Sequence, residues 1–452
     1  MAKVLIPSGA LGLGYDRAAL ARGVASKPDI IAIDGGSTDS GPHYLGSATS
    51  KYSRHSTKSE WRELMAARAA ANVPLVVGTA GTSGADAAVD WLVEITREIA
   101  AETTAGLKLA IIKSGQSAQA MAAAFAAGRI SPLHPAPELS AQTLLDCSNI
   151  VALAGAEQIQ AALATGADIV IAGRTTDTAI IAALPLARGC HAGTAWHGAK
   201  IGECGALATT NPNSGTILIE FDADGCTVVP MGETARATPH TISAHMLYEN
   251  ADPYALAEPG GHLDVTHAKY AQLDHARVRI TGSEWIPAKR YTVKLEGARL
   301  AGYQTVTLVL VRDPHYVAHV REWSNAIVER CSAKIGERLG LTGTDFTIEL
   351  RLIGVDATLG ALDRQADGAN EVGVLGIVTA HSQTLAHEIA KLLNPYLLHH
   401  PLTEHEEMPT FAFPFSPPEI DRGEIYEFCL NHVLELNDPM EAFRLTTLEI
   451  AA

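Results

Sequence analysis

The sequence predicts an α/β protein: a doubly wound, mostly parallel sheet followed by a second, α+β domain. Three observations lead there. Short apolar runs alternate with helical stretches over the first half of the chain. Five of those runs stop abruptly at loops of glycine, hydroxyl and charged residues. From about Ala276 the pattern changes to longer strands with long helices between them. At 452 residues the chain exceeds one ordinary core, so more than one domain is expected.

Val4-Leu5-Ile6 is the first strand, followed by a glycine turn and a helix from Arg17 to Ala25. Gly9, Gly12 and Gly14 are spaced G-x-x-G-x-G, which does not match the dinucleotide-binding spacing. Ile30–Ile33 is the second strand. It feeds a long polar loop beginning Asp34-Gly35-Gly36-Ser37-Thr38-Asp39 and reaching about Arg54, before a helix over Lys58–Asn72. Leu75–Val77 is the third strand, and Thr82 or Ser83 is placed to cap the helix Gly84–Ala101. Leu109–Ile112 precedes the helix Ala118–Ala127, and Ile150–Leu153 and Ile169–Ile171 flank the helix Glu157–Thr165. The succession reads as a Rossmann-like sheet, whose ligands bind beyond the carboxyl ends of the strands. That rule gathers the polar loops at one edge.

Asp222-Ala223-Asp224-Gly225-Cys226, between Thr216–Phe221 and Thr227–Pro230, is a hairpin signal. Residues 233–275 read as helix and irregular connection. Strands over Tyr291–Glu296 and Thr305–Val311, a helix over Pro314–Leu339, strands over Thr347–Ile353 and Val372–Thr379 and a helix over Ser382–Leu393 give the order ββαββα of a ferredoxin-like domain. The expected division is 1–285 for the Rossmann-like domain, 286–405 for the ferredoxin-like domain, and 406–452 for a Pro/Phe-rich tail packed on a domain or a subunit contact.

The net charge of −16 argues against a general nucleic-acid binder and against adhesion to an anionic membrane. No apolar run has the length of a membrane span. The six cysteines include no C-x-x-C pair, which disfavours structural zinc and fits a reducing cytoplasm. No h-region follows Met1.

Chemistry is expected at the strand-end loops. Arg174 suits bidentate grip of a substrate carboxylate, against the plainer reading of an internal pair with Asp177. Lys113 and Ser114, at a helix start, form an anion site or else a cap beside a solvated lysine. Gly36, Ser37, Thr38, Gly81, Thr82, Ser83, Thr175 and Thr176 offer further N–H and hydroxyl donors. Asp39, His43, Glu203 and Asp177 are the expected acid–base groups. Cys204 reads as a buried thiol more than as a nucleophile. No metal site or cofactor is assigned; a divalent cation held by Asp34, Asp39 and His43 is the alternative.

Gly173-Arg174-Thr175-Thr176-Asp177 and Gly202-Glu203-Cys204-Gly205, with Phe411-Ala412-Phe413-Pro414-Phe415-Ser416-Pro417-Pro418 and the opening Gly12-x-Gly14-Tyr15-Asp16-Arg17, resemble the acyclic terpene utilisation (AtuA) family. The loop Asp34–Tyr44 departs from the family's G-D pattern. The resemblance implies a bacterial cytoplasmic protein in the catabolism of small or branched carboxylates or their thioesters. It also implies, for many members, a further C-terminal ferredoxin-like domain or a small companion protein, and a separate companion is left open for this chain. Together these readings give a lyase, a hydro-lyase or related isomerase, acting on a small hydroxy- or unsaturated carboxylate or its thioester, as a homo-oligomer. A hydrolase using Ser37 or a metal-bound water is the second enzyme reading. A non-catalytic large subunit that needs its companion is the third.

Overall fold

A computed structural model describes residues 1–363 and 368–451. The described chain divides into two compact units, Met1–Arg299 with Phe428–Ala452, and Leu300–Glu427. The first is built on a ten-stranded sheet. Its strands, numbered along the chain, are β1 (Ala2–Ile6), β2 (Ile30–Asp34), β3 (Leu75–Gly78), β4 (Leu107–Lys113), β5 (Ile169–Ala172), β6 (Ile217–Phe221), β7 (Gly225–Pro230), β8 (Lys269–Gln272), β9 (Val278–Thr281) and β10 (Arg444–Ile450). The order across the sheet is β8-β9-β7-β6-β1-β2-β3-β5-β4-β10.

The centre, β1-β2-β3-β5-β4, is parallel throughout. The flanks are antiparallel, so the sheet is mixed. The central strands are apolar over most of their length, with charges only at Lys3, Asp34, Lys108 and Lys113, because both faces are covered. Val4, Ile6, Ile30, Ala32, Val170 and Ala172 enter one core with Ile159, Ile180 and Trp196. Their alternating neighbours Leu5, Ile31, Ile33, Ile169 and Ile171 enter another with Trp61, Leu64, Val89 and Leu92. Helices therefore lie on both faces. The predicted hairpin forms as β6 and β7, in the register Ile217↔Pro230 to Phe221↔Cys226.

Several local readings are corrected. The helix expected from Lys58 begins at Arg54, with Ser53 accepting the Ser56 N–H. The helix expected over Gly84–Ala101 runs over Asp86–Thr103 with Ala85 at its cap, so neither Thr82 nor Ser83 caps it. Residues 233–275 hold a helix over Pro239–His245 but also strands over Ala255–Glu258, Gly261–Asp264 and β8. The expected strands Tyr291–Glu296 and Thr305–Val311 are one strand, Tyr291–Val311. The intervening glycines make no turn because the strand changes partner along its length. Leu295–Ala298 pairs with Asn149–Ala152, and Tyr303–Val311 pairs with Val372–Ala380.

In the second unit, strands Phe346–Ile353 and Val372–Ala380 pair antiparallel, and Tyr303–Val311 continues that sheet. Helices Val320–Leu339 and Gln383–His399 bury Trp323, Ile327, Ile389 and Leu393 in its core. Phe411 and Phe413 pack on the same core, the Phe411 ring lying 5.0 Å from Tyr316 and 5.2 Å from Trp323. Among the described residues no helix is long and apolar enough to cross a membrane.

Candidate active site

The carboxyl ends of β2, β3, β4 and β5 are laced together by short hydrogen bonds in the first unit. Gly35 N–H donates to the Gly78 carbonyl at 2.7 Å, and Thr82 N–H to the Gly35 carbonyl at 3.0 Å. Thr79 N–H donates to the Gly173 carbonyl at 2.8 Å. Ser114 Oγ accepts the Arg174 N–H at 2.7 Å and donates to the Gly84 carbonyl at 3.2 Å. Gly36 has φ of +130°, and a Cβ there would lie 2.6 Å from the Thr82 Cα, so the backbones meet only because the residue is glycine.

Beside these loops lies a cavity of about 560 Å³. Asp34, Asp39 and Asp177 line it, with Gly36, Ser37, Thr82 and Cys204. Glu249, Tyr248, Tyr52 and Lys51 also line it. The acidic side chains in this wall outnumber its single lysine.

Two of the wall's acids are out of the ordinary range. Burial, reinforced by the charge of Asp177, pushes the Asp34 carboxyl well up; Arg174 and the Gly36 and Gly35 N–H groups oppose the rise. Asp34 Oδ2 accepts the Gly36 N–H at 3.0 Å, while Oδ1 has no hydrogen-bond partner among the described residues. Burial raises Asp177 to about 6, with Arg174 and Lys200 resisting. Behind this wall sits a second buried set. Lys200 ion-pairs with Glu203, and both are buried. Burial pushes Glu203 up to about 8 against the pull of Lys200, with Asp177 adding to the rise. Burial likewise takes Glu258 to about 7, although it accepts a hydrogen bond from Thr178 at 2.5 Å. His245 is held near 4 by burial first and by the Lys200 charge second. Atoms of Glu203, Cys204 and His245 lie within 4.8 Å of one another, an arrangement able to hold a metal ion.

Arg174 is engaged by the protein's own groups. Its Nε donates to Glu296 Oε2 at 2.9 Å and its Nη2 to Oε1 at 3.3 Å. Further bonds run to Thr38 Oγ1, Thr79 Oγ1 and the Thr175 carbonyl. The internal partner anticipated for it, Asp177, is replaced by Glu296. Lys113 does not line the cavity: it pairs with Asp90 at 2.7 Å. The expected anion site beside it is filled by the protein's own carboxylate, since Gly115 N–H donates to Asp86 at 2.9 Å and Arg444 pairs with Asp86.

Of the residues anticipated from sequence, Gly36, Ser37, Asp39, Thr82 and Asp177 reach the cavity, and Glu203 lies next to its Cys204 wall. Ser37 Oγ accepts the Asp39 N–H at 3.1 Å, capping a short turn. Thr38, Ser114, Arg174 and Thr175 form the buried frame. Thr176 bonds to Thr178 at 3.0 Å. Ser83 is buried beside the helix start, and Gly81 lets that helix approach, since a Cβ would meet Ala88 at 2.7 Å. His43 is exposed, its ring edge-on to Tyr44 at 5.4 Å, and does not line the cavity. The trio Asp34, Asp39 and His43 is thus not brought together as a cation site.

Sequence reasoning missed Lys200, His245, Glu258 and Glu296. Lys200 could have been found, because Lys200 and Glu203 are charges three residues apart at the end of the helix Ala192–Gly202, which carries no other Asp, Glu, Lys or Arg. Glu296 is a charge within an alternating strand. His245 and Glu258 carry no local signal.

The family model described as acyclic terpene utilisation family protein AtuA matches residues 43–414, most of the chain. The chain belongs to this family. No curated protein and no solved structure matches it.

Proposed function

We propose that this member of the AtuA family is an enzyme that moves protons on a small, branched hydroxyacyl or unsaturated acyl substrate, as a hydro-lyase or related isomerase. One observation carries the reading: Asp34 and Asp177 line the same cavity, and burial raises the proton affinity of both. A pair of carboxyls in which one stays protonated and the other ionises near neutrality has the makings of an acid and a base. In dehydration, Asp177 takes the proton from the carbon next to the acyl carbonyl. Asp34 gives its proton to the departing hydroxyl, which leaves as water, and a carbon–carbon double bond remains. Hydration is the reverse.

The family's description, acyclic terpene utilisation, supports a branched acyl chain. The electrostatics favour an uncharged acyl group, such as a thioester, over a free carboxylate. Arg174 is committed to Glu296, Lys113 lies elsewhere, and Asp39, Asp177 and Glu249 face the cavity against Lys51. The test is incubation of the full chain in heavy water with hydroxyacyl and enoyl thioesters and the matching free acids. Deuterium entering the substrate carbon, and its loss in Asp177→Asn, is the expected result. A full rate of exchange in Asp177→Asn would sink the assignment.

A further inference from the structure

We infer that Glu203, Cys204 and His245 form a binding site for a borderline divalent transition ion, with Zn²⁺ the best match. The donor set is a carboxylate, a thiol and an imidazole, the ligand types zinc takes in sites with three protein ligands. Their atoms lie within 4.8 Å of one another. Two zinc–ligand bonds laid end to end span about 4.4 Å, so small side-chain rotations close the set on one ion.

The histidine supplies the second, independent observation. His245 is 6% exposed. Its Nε2 is buried with no hydrogen-bond partner among the described residues. An orphaned buried lone pair costs about 1–3 kcal/mol, and a bound cation removes that cost. Lys200 holds Glu203 Oε1, which leaves Oε2 to ligate. Binding forms a metal–sulfur bond and breaks the Cys204 S–H bond, the proton passing to solvent. Cys204 lines the cavity. A fourth coordination position there would take water or a substrate oxygen.

This inference stands on geometry and does not rest on the proton-transfer reading. The test uses the full chain, stripped with a chelator and titrated with Zn²⁺ alone, then with Co²⁺ alone. One ion per chain and a thiolate-to-cobalt charge-transfer absorption are expected. Cys204→Ser should abolish that absorption, and His245→Ala should weaken binding about tenfold or more. Far-ultraviolet circular dichroism establishes that each variant is folded, and His245→Gln serves if His245→Ala is not. Binding below one ion per chain, or equal binding by wild type, Cys204→Ser and the folded His245 variant, overturns the site. Asp34→Asn separates the two proposals: it should keep the ion and lose turnover.

Discussion

Arg174 and Glu296 are joined at two points in the buried frame of the site, Nε to Oε2 at 2.9 Å and Nη2 to Oε1 at 3.3 Å. Burial alone would raise the Glu296 carboxyl; Arg174, with Lys294, holds it at about 2 instead. Burial works against the charge on Arg174 too, and Glu296 more than offsets it. The arginine that a sequence motif offers to a substrate is thus a structural cation, fixed between the ends of β2, β3 and β5.

Removing the negative partner should destabilise the fold. Glu296→Gln leaves the guanidinium buried without its counter-charge, at a cost of roughly 3 kcal/mol. The pH dependence follows from the depressed folded-state value. The unfolded chain binds the proton near 4.5 and the folded one near 2, so the stabilisation is present in full above 4.5. It is lost as pH falls through about 2. Urea unfolding of both proteins across this range should show the gap narrowing with acid. A gap that widens would refute the assignment of the pair as the frame's ionic lock.

Asp177→Asn and Asp34→Asn should each lower kcat by about 10²-fold or more. Asp177 must be ionised to accept a proton, so kcat/KM should rise as pH increases through about 6. Asp34 must keep its proton, so a falling limb is expected at higher pH, in keeping with its raised proton affinity. An acid limb that persisted unchanged in Asp177→Asn would belong to some other group.

Lys113→Ala should be nearly silent. The lysine is partly exposed, pairs with Asp90 and lies outside the cavity. A surface pair of this kind contributes about 1 kcal/mol or less, and turnover should stay within about twofold. A large loss of turnover would show that the anion site read from the sequence is real after all.

Gly36→Ala should damage the site without a change of charge. The residue sits at φ +130°, and the added Cβ would press on Thr82. The strain is about 1–3 kcal/mol, relieved by moving the loop that carries Ser37 and Asp39. Lower melting temperature together with reduced turnover is expected. An unaltered crystal structure of the variant would contradict it.

The parts legible in the sequence are those with a local cause. Apolar runs ending in polar loops located β1 to β5, because strands buried on both faces read as near-continuous apolar runs. The β6–β7 hairpin was legible from Asp222–Cys226 because a turn is set by its own residues. The single strand Tyr291–Val311 was not, because Gly297 and Gly302 look like a turn until the pairings of Gly297 with Ile150 and of Tyr303 with Ala380 are known.

By itself the sequence determined the parallel centre, the ends of its strands and the presence there of Asp34, Asp39 and Asp177. Only the tertiary structure decided which charges meet. Arg174 pairs with Glu296, 122 positions away, and His245 reaches Glu203 and Cys204 from a different helix. The physical reason is that helix and strand preferences act over a few residues. Burying a charge, by contrast, is settled by whichever partner the packed chain brings within a few ångströms.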